Sequence, residues 1–376
     1  MRKTTLFLAF IVVAMNVNAQ LFGNLLGGGG GGGNKSTAKD KLTDPPQDAF
    51  GYSGIFYTNK GYRVKFVFTQ MENGTTVNKM AIYHKNDNTK LISDDLKLDE
   101  KSKEKFKLLR FNYSQNSLIQ IAPDMFALVT FLSESYRDDA SKIEQIVFVA
   151  AKDEAKAKEI DDVTAKTLVE GELFKLQKEK ADEEFKKLME NETFAKMVGK
   201  IGFIKRYSDV CYNCGRGKIT EKTDVFVNSI ELGKDNLYYR AYFKANPKIL
   251  CPGCEMNTIY EIDGVKTSRV ELRRSSAKWS NNIKKREIED GFHTAAPTLI
   301  SLSENIVDYA FLYCIYQNKA KFKDGANVKM KVTITTNQDG VDKDVVAEGT
   351  ITLVYKDANK EGFKQLMDWV DELLNE

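Results

Sequence analysis

Histidine is almost absent: His84 and His293 are the two in 376 residues. The commonest general base and the commonest metal ligand are thus scarce. That weighs against hydrolase chemistry and histidine-held metals, and leaves thiol and carboxylate chemistry open. An excess of one charge is lacking too. Lys and Arg total 56 against 53 Asp and Glu, a net +3. Dedicated nucleic-acid binders are strongly basic, so nucleic acid is not expected as a partner. Five cysteines in a chain this long do not make a disulfide-dense scaffold, and packed cores must carry the stability. A hydrophobic content of 42%, with 22 Phe and 16 Tyr, supplies them.

Long apolar runs are confined to the N-terminus. Arg2 and Lys3 precede the apolar residues 6–15, and Val17-Asn18-Ala19 closes the run. This is the pattern of an export signal, residues 1–19, with the cut expected between Ala19 and Gln20. The run is about half of the roughly 20 residues that span a bilayer, so it reads as a removable signal and not an anchor. No cysteine follows the cut, and no transmembrane anchor is expected downstream. The Asn-Ala-Gln ending resembles signals of Gram-negative envelope proteins, which implies a periplasmic or secreted location.

Residues 20–46 read as a flexible linker. Residues 27–33 are unbroken glycine, the residue that loses most entropy on ordering, and Pro45-Pro46 closes the segment. Lys35-Ser36 follows the glycines, but a phosphate loop needs a strand before it and a helix after it. Residues 21–26 are too short and broken for that strand.

Residues 47–152 are strand-rich. Tyr62, Val64, Phe66 and Phe68 alternate with Arg63, Lys65 and Val67, the period of a half-buried strand. Similar runs fall at 54–58, 79–84, 108–113, 118–121, 126–133 and 144–150. Asn59-Lys60-Gly61 and Glu72-Asn73-Gly74 are turn signals. Strands in direct succession favour an antiparallel sheet over β-α-β units. Residues 153–199 switch to helical spacing, with Leu168, Leu173, Leu176, Phe185, Leu188 and Met189 among Glu and Lys. Asn191 is placed to cap a second short helix, and Gly199 to end it.

Residues 200–376 return to strand: 224–232, 237–243, 258–262, 308–316, 326–336 and 345–355, with Asp339-Gly340 as the turn between the last two. Residues 360–374 place Phe363, Leu366, Met367, Val370, Leu373 and Leu374 on one helical face. The expected fold is α+β, mostly β. Two antiparallel β-rich domains (47–152 and 200–376) are joined by a helical connector (153–199). The second is sandwich-like and ends in a helix.

The chemistry sits in two knuckles, Cys211-Tyr212-Asn213-Cys214 and Cys251-Pro252-Gly253-Cys254. Four thiolates complete a tetrahedron, so Cys211, Cys214, Cys251 and Cys254 are candidate ligands of one structural zinc ion. The interval 215–250 exceeds the roughly 15 to 20 residues of a compact zinc ribbon. Export also exposes thiols to oxidants, which makes structural disulfides the direct rival. Cys251-Pro252-Gly253-Cys254 resembles the active-site pattern of thioredoxin-like oxidoreductases, which implies a thiol–disulfide enzyme using Cys251 and Cys254. That family places the pair at the start of a helix after a strand; here residues from 258 onward read as strand. Cys314, within an apolar run, reads as packing.

A basic segment covers 266–286, where Lys266, Arg269, Arg273, Arg274, Lys278, Lys284, Lys285 and Arg286 face one acid, Glu271. Trp279 lies among them. If Trp279 is exposed, Arg273, Arg274, Lys278, Trp279, Lys284, Lys285 and Arg286 form a candidate surface for an anionic glycan or phospholipid. The alternative is a solvated loop or strand edge kept from aggregating by its charge. Carboxylate chemistry is not visible: Asp94-Asp95 and Asp138-Asp139 suit turns and helix starts. Asn86-Asp87-Asn88 lacks the Gly and the distant Glu of a calcium loop. The expected function is that of an exported, non-enzymatic envelope protein binding a protein partner or an anionic polymer. The alternative is the thiol–disulfide oxidoreductase.

Overall fold

A computed structural model describes residues 42–48, 52–70, 76–84, 90–98, 108–111, 115–136, 139–210, 219–288, 291–300 and 308–375. The expected signal 1–19, most of the linker 20–46, the turn Glu72-Asn73-Gly74, and both Cys211 and Cys214 lie outside these residues. The described chain is mostly antiparallel β-sheet with helices between the sheets and at the C-terminus, an α+β fold.

The first eight strands are β1 (Gly54–Thr58), β2 (Arg63–Gln70), β3 (Thr76–Tyr83), β4 (Lys90–Leu98), β5 (Leu108–Phe111), β6 (Asn116–Ala122), β7 (Met125–Phe131) and β8 (Ile143–Ala151). Each pairs with the next, and β1 returns to β8, so the sheet closes into a barrel. The period-2 alternation explains its inside. Phe56, Phe66 and Phe126 are buried together, with ring centroids 5.0 to 5.5 Å apart. Phe68, Met80 and Phe148 join the same cluster. An eight-stranded barrel is just wide enough to be filled by side chains, and this one is. The alternate residues Arg63, Lys65 and Lys79 lie outside that cluster and are not buried. Charges on this outer face suit water and not lipid.

The closing seam is short. The β1–β8 register holds Tyr57 against Ala151 and Thr58 against Ala150. Asn59 extends it with its side chain. Its backbone N–H donates to Val149 O at 2.9 Å, and its Oδ1 accepts from Val149 N–H at 2.9 Å. Strand β4 was not expected. Asp94-Asp95, read as a turn or helix start, lies within it opposite Met80 and Lys79. Two adjacent acids read locally as a turn, although the strand that carries them is paired on both sides, with β3 and β5.

Three helices follow: α1 (Glu154–Lys158), α2 (Asp162–Met189) and α3 (Glu192–Met197). Asp153, Asp161 and Asn191 cap them, each accepting from backbone N–H groups of the first turn. Gly199 follows α3 at φ +77°, as its C-terminal position requires. On α2, Ala165, Val169, Leu173 and Leu176 cover the outer faces of β6 to β8, against Ile119, Val129 and Val149. That is why β7 reads Met-Phe-Ala-Leu-Val-Thr-Phe with no polar alternation: both of its faces are buried. Farther along, Ala181 and Leu188 pack with Phe194, Tyr242 and Phe292. Leu168 and Met189, expected in the stripe, are exposed.

The remaining strands are β9 (Ile201–Ile204), β10 (Ser229–Glu231), β11 (Leu237–Tyr242), β12 (Glu255–Ile262), β13 (Val265–Ser268), β14 (His293–Ile300), β15 (Asn327–Gln338) and β16 (Val341–Val354). They form a sheet in the order β10-β16-β15-β12-β13 and a second in the order β14-β11-β9. All pairs are antiparallel except β10 with β16. Asp339 and Gly340, both at positive φ, make the two-residue turn from β15 to β16. Five further helices lie among the described residues: α4 (Pro247–Leu250), α5 (Arg269–Ser275), α6 (Ala277–Asn282), α7 (Tyr309–Gln317) and α8 (Lys360–Asn375). One core unites both sheets with α7 and α8, built on Tyr239, Tyr260, Met330, Ile351, Phe311 and Val370.

Residues 308–316 were expected as strand and are α7. Asp308 caps the helix, accepting from Ala310 N–H at 3.0 Å and Phe311 N–H at 3.3 Å. A short helix buried on most sides has no polar face, so its period is invisible in the sequence.

Two glycines meet where α8 begins. A Cβ on Gly362 would overlap the Gly233 carbonyl, and Gly233 itself sits at φ +77°. Gly362→Ala is expected to cost about 1–3 kcal/mol of stability, because backbone must shift. In contrast, Gly171 on α2 has open space around its Cβ position. Gly171→Ala should therefore stabilise by roughly 0.5–1 kcal/mol. Urea unfolding of the two variants checks both signs.

Candidate functional site

Cys251 and Cys254 are joined as a disulfide with their Cα atoms 5.5 Å apart. Cys251 is the C-terminal cap of α4, its N–H bonded to Pro247 O. Cys254 is buried at the entry to β12. Gly253 turns between them at φ +79°. A reactive thiolate is stabilised at a helix N-terminus, where the dipole is positive. Here the order is reversed, with the helix ending at the first cysteine. Joined as a disulfide, the pair offers no thiolate to a zinc ion, so a four-cysteine site requires it reduced. Cys314 is buried within α7, and burial pushes its thiol up to about 11.

The basic segment is only in part the strand edge and loop expected for it: Lys266 lies on the edge strand β13 and 284–286 follow as loop, but 269–282 form two helices, α5 and α6. Ser268 accepts from Glu271 N–H at 3.3 Å and starts α5; Ser276 accepts from Trp279 N–H at 3.4 Å and starts α6. The Ser268-x-x-Glu271 spacing is a capping signature that marked the helix in advance. Trp279 is 6% exposed and packs edge-on against Tyr313, 5.2 Å between centroids. The expected exposed aromatic is thus part of the core, because the helical turn swings it inward.

The folding of this segment sorts its cations into two sets. Arg273 Nη2 donates to Glu255 Oε1 at 2.8 Å, and Arg269 Nη1 to Asp308 Oδ2 at 3.1 Å. Arg286 donates to the Tyr239 hydroxyl at 3.1 Å and to Thr294 Oγ1 at 3.0 Å. Lys266 lies 3.7 Å from Glu261. Those four are committed. Arg274, Lys278, Lys284 and Lys285 have no carboxylate partner among the described residues. Arg274, Lys284 and Lys285 are exposed, and Lys278 is half-buried, reaching Leu374 O at 3.4 Å. The unpaired cations therefore share the two short helices and the turn after them.

A second cluster went unseen in the sequence. On the far face of the three-stranded sheet, Arg240 Nε lies 3.1 Å from Glu221 Oε1, with side chains 3% and 0% exposed. The approach lacks the alignment of a hydrogen bond, leaving Arg240 Nε without one. The Tyr242 hydroxyl donates to the same Oε1 and Thr220 N–H donates to Oε2 at 3.1 Å. Burial first, and then Glu221, raises the Tyr242 phenol. His293 stands opposite Tyr242 in the β11–β14 register, and its Nδ1 is buried without a partner. Burial, with Arg240 nearby, lowers its imidazole to about 4. The one available signal was Arg240 itself, a charge amid Leu-Tyr-Tyr-Arg-Ala-Tyr; nothing marked Glu221 as its partner.

No family model matches the chain, and neither a curated protein nor a solved structure does.

Proposed function

We propose that this is an exported, non-enzymatic protein of a Gram-negative-type envelope, periplasmic or secreted, that binds an anionic polymer or an acidic protein partner. Its two domains, the barrel region 47–152 and the sandwich-like region 200–376, are joined by the helical connector 153–199. The observation that carries the reading is the sorting of the basic segment. Structural roles consume Arg269, Arg273 and Arg286, while Arg274, Lys278, Lys284 and Lys285 have no carboxylate partner among the described residues. Clustered cations that outnumber the acids beside them, Glu271 and Glu287, favour polyanions over neutral ligands. The cysteine pairs act as staples, either as disulfides or as one structural zinc site. Support for a non-catalytic role comes from Cys251 at a helix C-terminus, where the dipole opposes a thiolate.

Heparin chromatography tests the binding surface. The wild-type protein should be retained and elute with salt, since exposed charges are screened. Substituting Arg274, Lys278, Lys284 and Lys285 together by alanine should move elution to clearly lower salt with an unchanged melting curve. Equal elution of the two proteins would remove this surface from the reading. Intact mass with thiol alkylation separates staples: a zinc adduct lost on denaturation marks a metal, and a mass four hydrogens light marks two disulfides.

A further inference from the structure

The disulfide closes the same short helix, α4, from which Lys248 reaches the barrel. Helix α4 is a single turn, too short to stand alone. Its N-terminus is held by Asn246, whose Oδ1 accepts from Lys248 N–H at 3.0 Å. Its C-terminus is held by Cys251, and through the disulfide by Cys254 at the start of β12, an interior strand of the five-stranded sheet. Between these two holds, Lys248 reaches across to the barrel. Its Nζ lies 3.6 Å from Asp139 Oδ2, the side chains 34% and 20% exposed. Asp139 caps the 3₁₀ turn Ala140–Lys142 that leads into β8, accepting from Ser141 N–H at 3.0 Å. Ile249 packs in the cluster around Phe194 and Tyr242. Pro252 and Gly253, the tip of the disulfide loop, are exposed, whereas Cys254 is buried.

We propose that the Cys251–Cys254 disulfide is a redox latch on the contact between α4 and the barrel. Oxidised, it fixes both ends of α4 and holds Lys248 at Asp139. Reduced, α4 loses its sheet-anchored end, and the Lys248–Asp139 contact loosens. The reductant is an exogenous dithiol. One of its thiolates attacks the more accessible Cys251 sulfur, forming a mixed disulfide and releasing the Cys254 thiolate, which takes up a proton. The second thiol of the reductant then displaces Cys251 as a thiol, and the reductant leaves as a disulfide. Two electrons and two protons pass to the protein. This latch is independent of whether the cationic surface binds a polyanion.

Hydrogen exchange of the full chain, with and without dithiothreitol, reads the contact at the Ser141 and Lys142 amides. The Tyr260 amide serves as a control for global opening. Reduction should speed exchange at Ser141 and Lys142 roughly two- to fivefold, the size expected for a part-exposed ion pair, with Tyr260 unchanged. Lys248→Met should show the faster rate already in the oxidised state, and reduction should then add nothing there. The Cys211→Ser/Cys214→Ser variant should respond as wild type does. If that variant does not fold, alkylation mapping of the wild-type chain identifies which pair is reduced when the rates change. Faster exchange confined to 252–256, with Ser141 and Lys142 unmoved, would overturn the latch. A full response to reductant in Lys248→Met would overturn it as well.

Discussion

Arg240→Met destabilises the protein by about 3–5 kcal/mol, the cost of stranding a buried charge. Glu221 is fully buried in this variant, and its carboxylate keeps the Tyr242 hydroxyl and the Thr220 N–H but no cation. The intact pair is a different matter. Two desolvated charges roughly offset their own attraction, so the pair contributes little against an apolar replacement. Arg240→Met with Glu221→Gln should consequently be more stable than Arg240→Met alone. Urea unfolding of the two single variants and the double variant gives the coupling between them. A single-variant loss below about 1 kcal/mol would mean that water reaches the pair, contrary to its burial.

The second large effect is a dependence of stability on acid. His293 has a folded pKa of about 4 against an ordinary 6.5. Between these values the unfolded chain takes up a proton at this position and the folded chain does not. Stability is therefore complete above about pH 6.5 and falls as pH drops toward 4. Below that, both states are protonated and the loss stops growing. At 1.36 kcal/mol per unit the total is about 3 kcal/mol. The cause is geometric: the ring is enclosed beside Arg240, so a second positive charge is opposed, and the nearby acid Glu221 is already engaged. His293→Gln should flatten the slope between pH 6.5 and 4 without altering stability at pH 8 by a comparable amount. Equal slopes in wild type and His293→Gln would show that the imidazole is solvated.

Part of the barrel was legible because β2 alternates strictly, and β1 was read to the residue. Strand β4 was missed because Lys-Leu-Ile-Ser-Asp-Asp-Leu alternates poorly and its acids imitate a turn. Closure into a ring depends on β1 finding β8, a pairing about which local pattern is silent. The capped helices were legible at Asn191, whose side chain does what its position promised. Helix α7 was not, for want of a polar face. At the candidate surface the cations were found by counting, but composition cannot tell Arg273 from Arg274. One turns toward Glu255 and the other lies against Gly340 at the β15–β16 turn. Their division into structural and free sets is a property of helix phase, and that phase was hidden while the segment read as loop.

The seam of the barrel has a kinetic meaning. Every other strand pairing in the ring joins neighbours in sequence, which can form as each hairpin appears. The β1–β8 pairing closes a loop that contains the whole meander, the largest closure entropy in the barrel. It is expected to form last and open first. An open seam would present β1 as an unpaired edge, the usual template for association between chains. Asn59 stands at that edge with its amide in place of a further strand residue. Its side chain acts as a clasp, shortening the time during which a newly made barrel offers that edge to its neighbours.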